Sequence, residues 1–210
     1  MLSKGNVFLI GPMGSGKTAV GRHLARMLRF TFHDSDADIE ARTGVDIAFI
    51  FEKEGEAGFR IREKESIERL TRLDSIVLAT GGGAVIEEDN RRMLAERGVV
   101  VYLATSIDQQ LERTRHGRHR PLLNHTDPEQ KLQELMQRRA VLYAQIADFT
   151  VSTDGRRVQI VAEEIHHAVR RARTPRRRHR HLARCGLRED ALRTRPGTRR
   201  WESDALRHDG

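Results

Sequence analysis

One cysteine, Cys185, serves the whole 210-residue chain, so no disulfide can form within it and a reducing, cytoplasmic setting is expected. No apolar run approaches the roughly 18 residues that a membrane-spanning helix needs. Val99 to Ala104 is among the longest. The opening MLSKGN passes directly into a strand-like run, which leaves no room for a signal peptide. His116, His119 and His125 show no metal-ligand pattern with cysteine or carboxylates, which argues against a zinc centre. No Asn-Lys-x-Asp follows a later strand, and no acidic pair ends the strand SIVLAT. A guanine reader and a motor-type ATPase site are both disfavoured by those absences.

Charge is unevenly spread. The net +8 and pI near 10.4 would ordinarily point to nucleic acid. Residues 173–210, however, hold 12 of the 38 Lys and Arg but only 5 of the 30 Asp and Glu, so the tail carries +7 and the body +1. The body therefore reads as an ordinary near-neutral globular chain, with no nucleic-acid partner expected. The tail lacks lysine, is poor in aliphatics and is interrupted by Pro175 and Pro196. That composition predicts a disordered appendage unrelated to the chemistry, with non-specific binding of RNA or DNA as the other reading.

Periodicity gives the body its class. Strand-like runs at Asn6–Ile10, Thr31–His33, Ser75–Ala79, Val99–Leu103 and Phe149–Ser152 alternate with amphipathic stretches. The helical stretches include one ending at Leu28, others within Asp36–Arg72, and Glu88–Glu96, Ser106–Thr114, Glu129–Ala147 and a last one to about Arg171. Five strands interleaved with helices predict a doubly wound, parallel α/β sheet. Ligands in such sheets bind at the carboxyl ends of the strands.

The first strand leads into GPMGSGKT, where Gly11, Gly16, Lys17 and Thr18 fit G-x-x-x-x-G-K-[ST]. Glycines at positions 11, 14 and 16 let backbone N–H groups close around an anion, and the helix starting near Lys17 adds its positive end. Lys17 would reach the β and γ phosphates and the Thr18 hydroxyl would ligate Mg²⁺. After the second strand, Asp34 and Asp36 could face one pocket, one supporting Mg²⁺ through water and the other meeting an acceptor hydroxyl. The plainer reading of Asp36 is a helix N-cap, with Asp38 and Glu40 in the first turn. Gly81-Gly82-Gly83 would let a substrate approach bare backbone, or simply form a tight turn.

Together, GPMGSGKT, DSDADIEARTG, FEKEGEAGFRIREKE, IVLATGGGAV, RPLL and RRAVLYAQIAD resemble bacterial shikimate kinases over about residues 4–170. The resemblance implies a three-layer, nucleoside monophosphate kinase-like P-loop fold with strand order 2-3-1-4-5. It implies transfer of the γ-phosphate of ATP to the 3-hydroxyl of shikimate in chorismate and aromatic amino acid biosynthesis, with one Mg²⁺ per ATP. Gly14, Ser15, Gly16, Lys17, Thr18 and Ala19 match the phosphate loop, Thr18 the metal ligand, and Asp34 the residue that supports the metal through water. Asp36 matches the candidate base, Arg60 and Arg139 the pair on the substrate carboxylate, and Gly82 a backbone contact to substrate. Arg120 matches the lid arginine, while Arg113 and the loop from Thr153 to Arg156 lie where the family holds adenine. A kinase domain over residues 1–172 is implied, with a substrate-binding region about 34–62, a lid about 113–128 and the tail outside it. A monomer is expected.

Several alternatives stand beside that resemblance. Arg60, followed by Arg62, Glu63, Lys64 and Glu65, also reads as part of a solvated helix face. Arg138 and Arg139 project about 100° apart on a helix, so only one can face a pocket. Val141 stands where the family generally has proline, which puts the aim of Arg139 in question. The basic stretch between Arg113 and Pro128 suits a mobile lid or a solvated loop. A gluconate-type kinase, a non-catalytic nucleotide-binding module and a nucleic-acid-associated P-loop protein are the competing functional classes.

Overall fold

The computed structural model describes residues 5–115 and 127–173. Arg120, most of the expected lid and the Arg-rich tail with Cys185 lie outside the described residues. Strand β1 (Asn6–Ile10) is buried along its whole length, as a central parallel strand covered on both faces must be. Its side chains alternate between two cores. Val7 and Leu9 join Val20, Leu24, Ile165 and Val169 on one face of the sheet. Phe8 and Ile10 join Ile67, Leu70, Leu94 and Tyr143 on the other.

Around β1 the sheet runs in the order β2-β3-β1-β4-β5, every pairing parallel. The remaining strands are β2 (Thr31–Asp34), β3 (Ile76–Ala79), β4 (Gly98–Ala104) and β5 (Phe149–Ser152). Helices α1 (Lys17–Leu28) and α7 (Val158–Arg173) cover one face. Helices α3 (Ile47–Leu70), α4 (Glu88–Arg97) and α6 (Pro128–Ile146) cover the other. The doubly wound sheet read from periodicity and the strand order implied by the resemblance are both observed. Because β1 has β3 on one side and β4 on the other, the chain winds in opposite directions from it and leaves a crevice at its carboxyl end.

Two shorter helices complete the set, α2 (Ser35–Thr43) and α5 (Ile107–Thr114). Helix α3 is kinked at Gly55, whose φ of 70° and ψ of −174° belong to a region open essentially to glycine alone. Beneath α2 and α3 lies a third, smaller core of Ile39, Ile50 and Phe59, with Val45, Ile47 and Phe51 packed against it. Asp38 faces this pair of helices, accepting from Ser66 at 2.7 Å and pairing with Arg69, so it does more than decorate a first turn.

Candidate active site

Helices α1 and α4 both lack a side-chain N-cap, but of the two only α1 also lacks acidic residues in its first turn. Asp34, Asp46, Ser106 and Asp127 cap α2, α3, α5 and α6 with side-chain oxygens. The N-cap of α1 is Gly16, with φ 87° and no side-chain hydrogen bond, and its first turn holds no acidic residue. The positive end of that helix is thus left to an external anion. Lys17 Nζ donates to the carbonyls of Gly11 and Pro12 at 2.8 and 2.7 Å and reaches Ser15 Oγ at 3.3 Å, drawing the loop around its own ammonium. The Ser15 side chain is wholly buried beneath the loop, whereas Gly14, Gly16, Thr18 and Ala19 line the cavity in front of it.

That cavity, of about 600 Å³, occupies the predicted crevice. Asp34 spans its edge with both carboxylate oxygens engaged. Oδ2 accepts the Thr18 hydroxyl at 2.8 Å, and Oδ1 accepts the Asp36 amide at 3.1 Å. The N-cap considered for Asp36 therefore falls to Asp34, because α2 begins at Ser35 and its first free amides point back toward Asp34. Relieved of capping, the Asp36 carboxyl turns into the cavity. Burial, then the negative charges of Asp34 and Glu63, push its pKa up from 3.8 to about 7, against the opposing pull of Lys17 and the Ser35 hydroxyl.

On the far wall stand Arg60 and Arg139. Arg60 is not the surface charge its neighbours suggested, since its side chain is only 11 % exposed. It donates from Nη1 to Glu63 at 2.5 Å and from Nη2 to Glu56 at 2.8 Å. Its guanidinium presses close against Gly83, where a Cβ would collide with it. Glu63, placed by sequence on a solvated face, is fully buried, and burial raises its pKa despite Arg60. A Cβ on Gly81 would meet Glu63 Oε1 at 2.7 Å and Asp36 Oδ1 at 2.8 Å, so the glycine is what lets two carboxyls close on this loop.

Of the two adjacent arginines on α6, Arg139 is buried and lines the cavity while Arg138 is exposed. The helix continues through Val141, which is 67 % exposed, and Arg139 faces inward without a proline there. Among the described residues Arg139 forms no ion pair; it interacts with the Tyr143 phenol one turn on. Tyr143 in turn donates to the Gly82 carbonyl at 2.5 Å. Burial drives the Tyr143 pKa well above the ordinary phenol range.

Arg113 closes the phosphate-loop end of the cavity by donating to the Gly14 carbonyl at 3.0 Å and to the hydroxyl and carbonyl of Thr153. Arg156 does not join it; that side chain turns to the Ser152 carbonyl and to Glu164 on α7. Sequence reasoning overlooked Glu63 and Tyr143. Both were marked by helical spacing, Glu63 three residues after Arg60 and Tyr143 four after Arg139, the offsets at which side chains on one face meet.

The shikimate kinase family model matches residues 13–170. The chain belongs to the shikimate kinase family. Shikimate kinase from Shewanella amazonensis is 53 % identical over 165 residues, which cover 79 % of this chain and 96 % of that protein. Among solved structures, shikimate kinase from Acinetobacter baumannii in complex with shikimate is 48 % identical with a TM-score of 0.78, covering 79 % of this chain and 93 % of that one. Shikimate kinase from Bacteroides thetaiotaomicron is 29 % identical with a TM-score of 0.73, covering 79 % and 98 %.

Proposed function

We propose that this member of the shikimate kinase family transfers the γ-phosphoryl group of ATP to the 3-hydroxyl of shikimate. The products would be ADP and shikimate 3-phosphate, on the route to chorismate and aromatic amino acids. The observation that carries the reading is one cavity that joins a phosphate loop to two guanidinium groups, with the Asp36 carboxyl within electrostatic reach of Lys17 and of the Glu63 that holds Arg60. An acceptor with a carboxylate at one end and hydroxyls at the other fits that arrangement. The relative from Acinetobacter baumannii, solved with shikimate, supports the choice of acceptor.

In this mechanism Arg60 and Arg139 grip the acceptor carboxylate, which planar guanidinium groups bind through paired hydrogen bonds. The Gly82 backbone sits against the acceptor ring, and Asp36 takes the proton of the attacking hydroxyl. As the new oxygen–phosphorus bond forms, the bond from the γ-phosphorus to the bridging oxygen breaks and ADP leaves with that electron pair. Lys17 and the open amides of α1 stabilise the charge that builds on the transferring group, and Arg120 is assigned to closing over it. Arg113 and Arg156 are assigned to the adenine position, Arg156 having to leave Glu164 to reach it.

Thr18 Oγ1 and Asp34 Oδ2, 2.8 Å apart at the cavity, are hard oxygen donors that suit Mg²⁺. Thr18 would hold one ion per ATP directly and Asp34 through water, the ion supplying charge neutralisation of the phosphates. We assign the chemistry to residues 1–172, with the region about 34–62 receiving the acceptor, the lid about 113–128 covering ATP and residues 173–210 an appendage. A monomer in the cytoplasm is the working assignment; among the described residues no helix is long and apolar enough to cross a membrane.

The test is ADP release from Mg-ATP with shikimate, gluconate or AMP as acceptor. Release that depends on shikimate alone supports the assignment. Equal release with gluconate, or none with any acceptor, refutes it.

A further inference from the structure

Arg60 is held by two carboxylates of different character. Glu63 is fully buried, while the Glu56 side chain is 55 % exposed and can leave into solvent. Glu56 also lies within electrostatic reach of Arg139, so it sits toward the same pair of guanidinium groups that an incoming carboxylate would meet. While it is paired, Glu56 takes up a guanidinium N–H that an incoming carboxylate would otherwise use.

We infer that the Glu56 carboxylate is a displaceable occupant of the position that the acceptor's carboxylate takes on Arg60, and that each acceptor must eject it in order to bind. The inference rests on the function proposed above. Glu56 lies one helical turn from Arg60, so its effective concentration at the guanidinium is high and every entering carboxylate competes with it. An acceptor whose hydroxyls also reach Asp36 has further binding energy to set against that competition. A plain carboxylate has none, and the site therefore rejects simple acids at concentrations where it still accepts its substrate.

Steady-state kinetics on the full chain test this, with ADP release as readout and acetate as a competing carboxylate. Glu56→Gln should lower KM for shikimate roughly two- to five-fold, the range expected for loss of one exposed ion pair. The inhibition constant of acetate against shikimate should fall by the same factor, since the same contact no longer has to be displaced. Glu56→Asp is too short to keep the 2.8 Å contact but retains the charge, and it should follow Glu56→Gln. Glu52→Gln, on the same stretch and paired among the described residues to Lys53 at the surface, is the control that should leave both constants alone. An unchanged or raised KM in Glu56→Gln overturns the inference, as does a Glu56→Asp variant that behaves like the wild type. A wild type indifferent to shikimate overturns the proposed reaction and the inference with it, whereas a responsive wild type with an unresponsive Glu56→Gln overturns the inference alone.

Discussion

Tyr143 donates its phenolic hydrogen to the Gly82 carbonyl at 2.5 Å, tying α6 to the loop after β3 across 61 positions of sequence. Tyr143→Phe keeps the ring stacked on Tyr102, 5.0 Å away, but removes the oxygen that joins Arg139 to Gly82. Chemical denaturation should show a loss of about 1–2 kcal/mol, the usual effect of stranding a buried partner. KM for the acceptor should rise more than kcat falls, because Arg139 and the Gly82 backbone are both loosened.

Asp36→Asn should separate activity from stability. The folded chain keeps the Asp36 proton to about pH 7, whereas the unfolded chain loses it near 3.8. Wild-type stability therefore falls as pH rises from about 4 to 7, and the loss persists above that window. Asparagine cannot ionise, so at pH 8 the variant should be the more stable protein by a margin on the order of a few kcal/mol, with no such gain at pH 3.5. Its kcat should drop roughly 10²- to 10⁴-fold if Asp36 is the base. Equal thermal stability at pH 8, or normal turnover, would contradict this account.

The same group sets a pH profile. The wild-type kcat/KM should fall tenfold per pH unit below about 7 and level off above it, because the base must be ionised in the free enzyme. A flat profile between pH 5.5 and 8 would remove Asp36 from that role.

Lys17→Ala removes an ammonium that organises three oxygens of its own loop as well as facing the cavity. A fall in kcat of roughly 10²- to 10³-fold is expected, with a much smaller change in KM for the acceptor. Single-turnover phosphoryl transfer at saturating ATP would measure it.

Arg60→Ala leaves Glu63 buried without its cation, so two effects should appear together. KM for the acceptor rises, and the fold loses about 3 kcal/mol from the unpaired carboxylate. In Arg60→Ala/Glu63→Gln the stability should largely return while KM stays high. Recovery of both, or of neither, would mean that Arg60 has been misread.

Much of this was legible in the sequence for a physical reason: the central strands β1, β3 and β4, covered on both faces, are continuous apolar runs, and with the two shorter edge strands all five were located to within a residue at each end. The phosphate loop was legible too, from its glycine spacing, whereas helix geometry said only that one of Arg138 and Arg139 faces inward and the family resemblance chose Arg139. Asp34 was harder. Its capping of α2 depends on that helix starting at Ser35, one residue earlier than the apolar pattern indicated. Glu63 was hidden because a charged residue among Arg62, Lys64 and Glu65 looks solvated until the fold turns that one face inward. The local pattern specifies which residues share a face of α3, but only the packing of that helix decides which face is buried.

The small core of Ile39, Ile50 and Phe59 has an evolutionary reading. It is private to the α2–α3 lobe that carries Arg60, and the phosphate loop rests on the separate core behind β1. Substitutions within that small core are therefore felt first by the helices around Arg60, while Asp34, which caps α2 and accepts from Thr18, keeps that lobe in register with the phosphate loop. A lineage built on this plan can vary the packing around Arg60 more readily than the link that runs through Asp34.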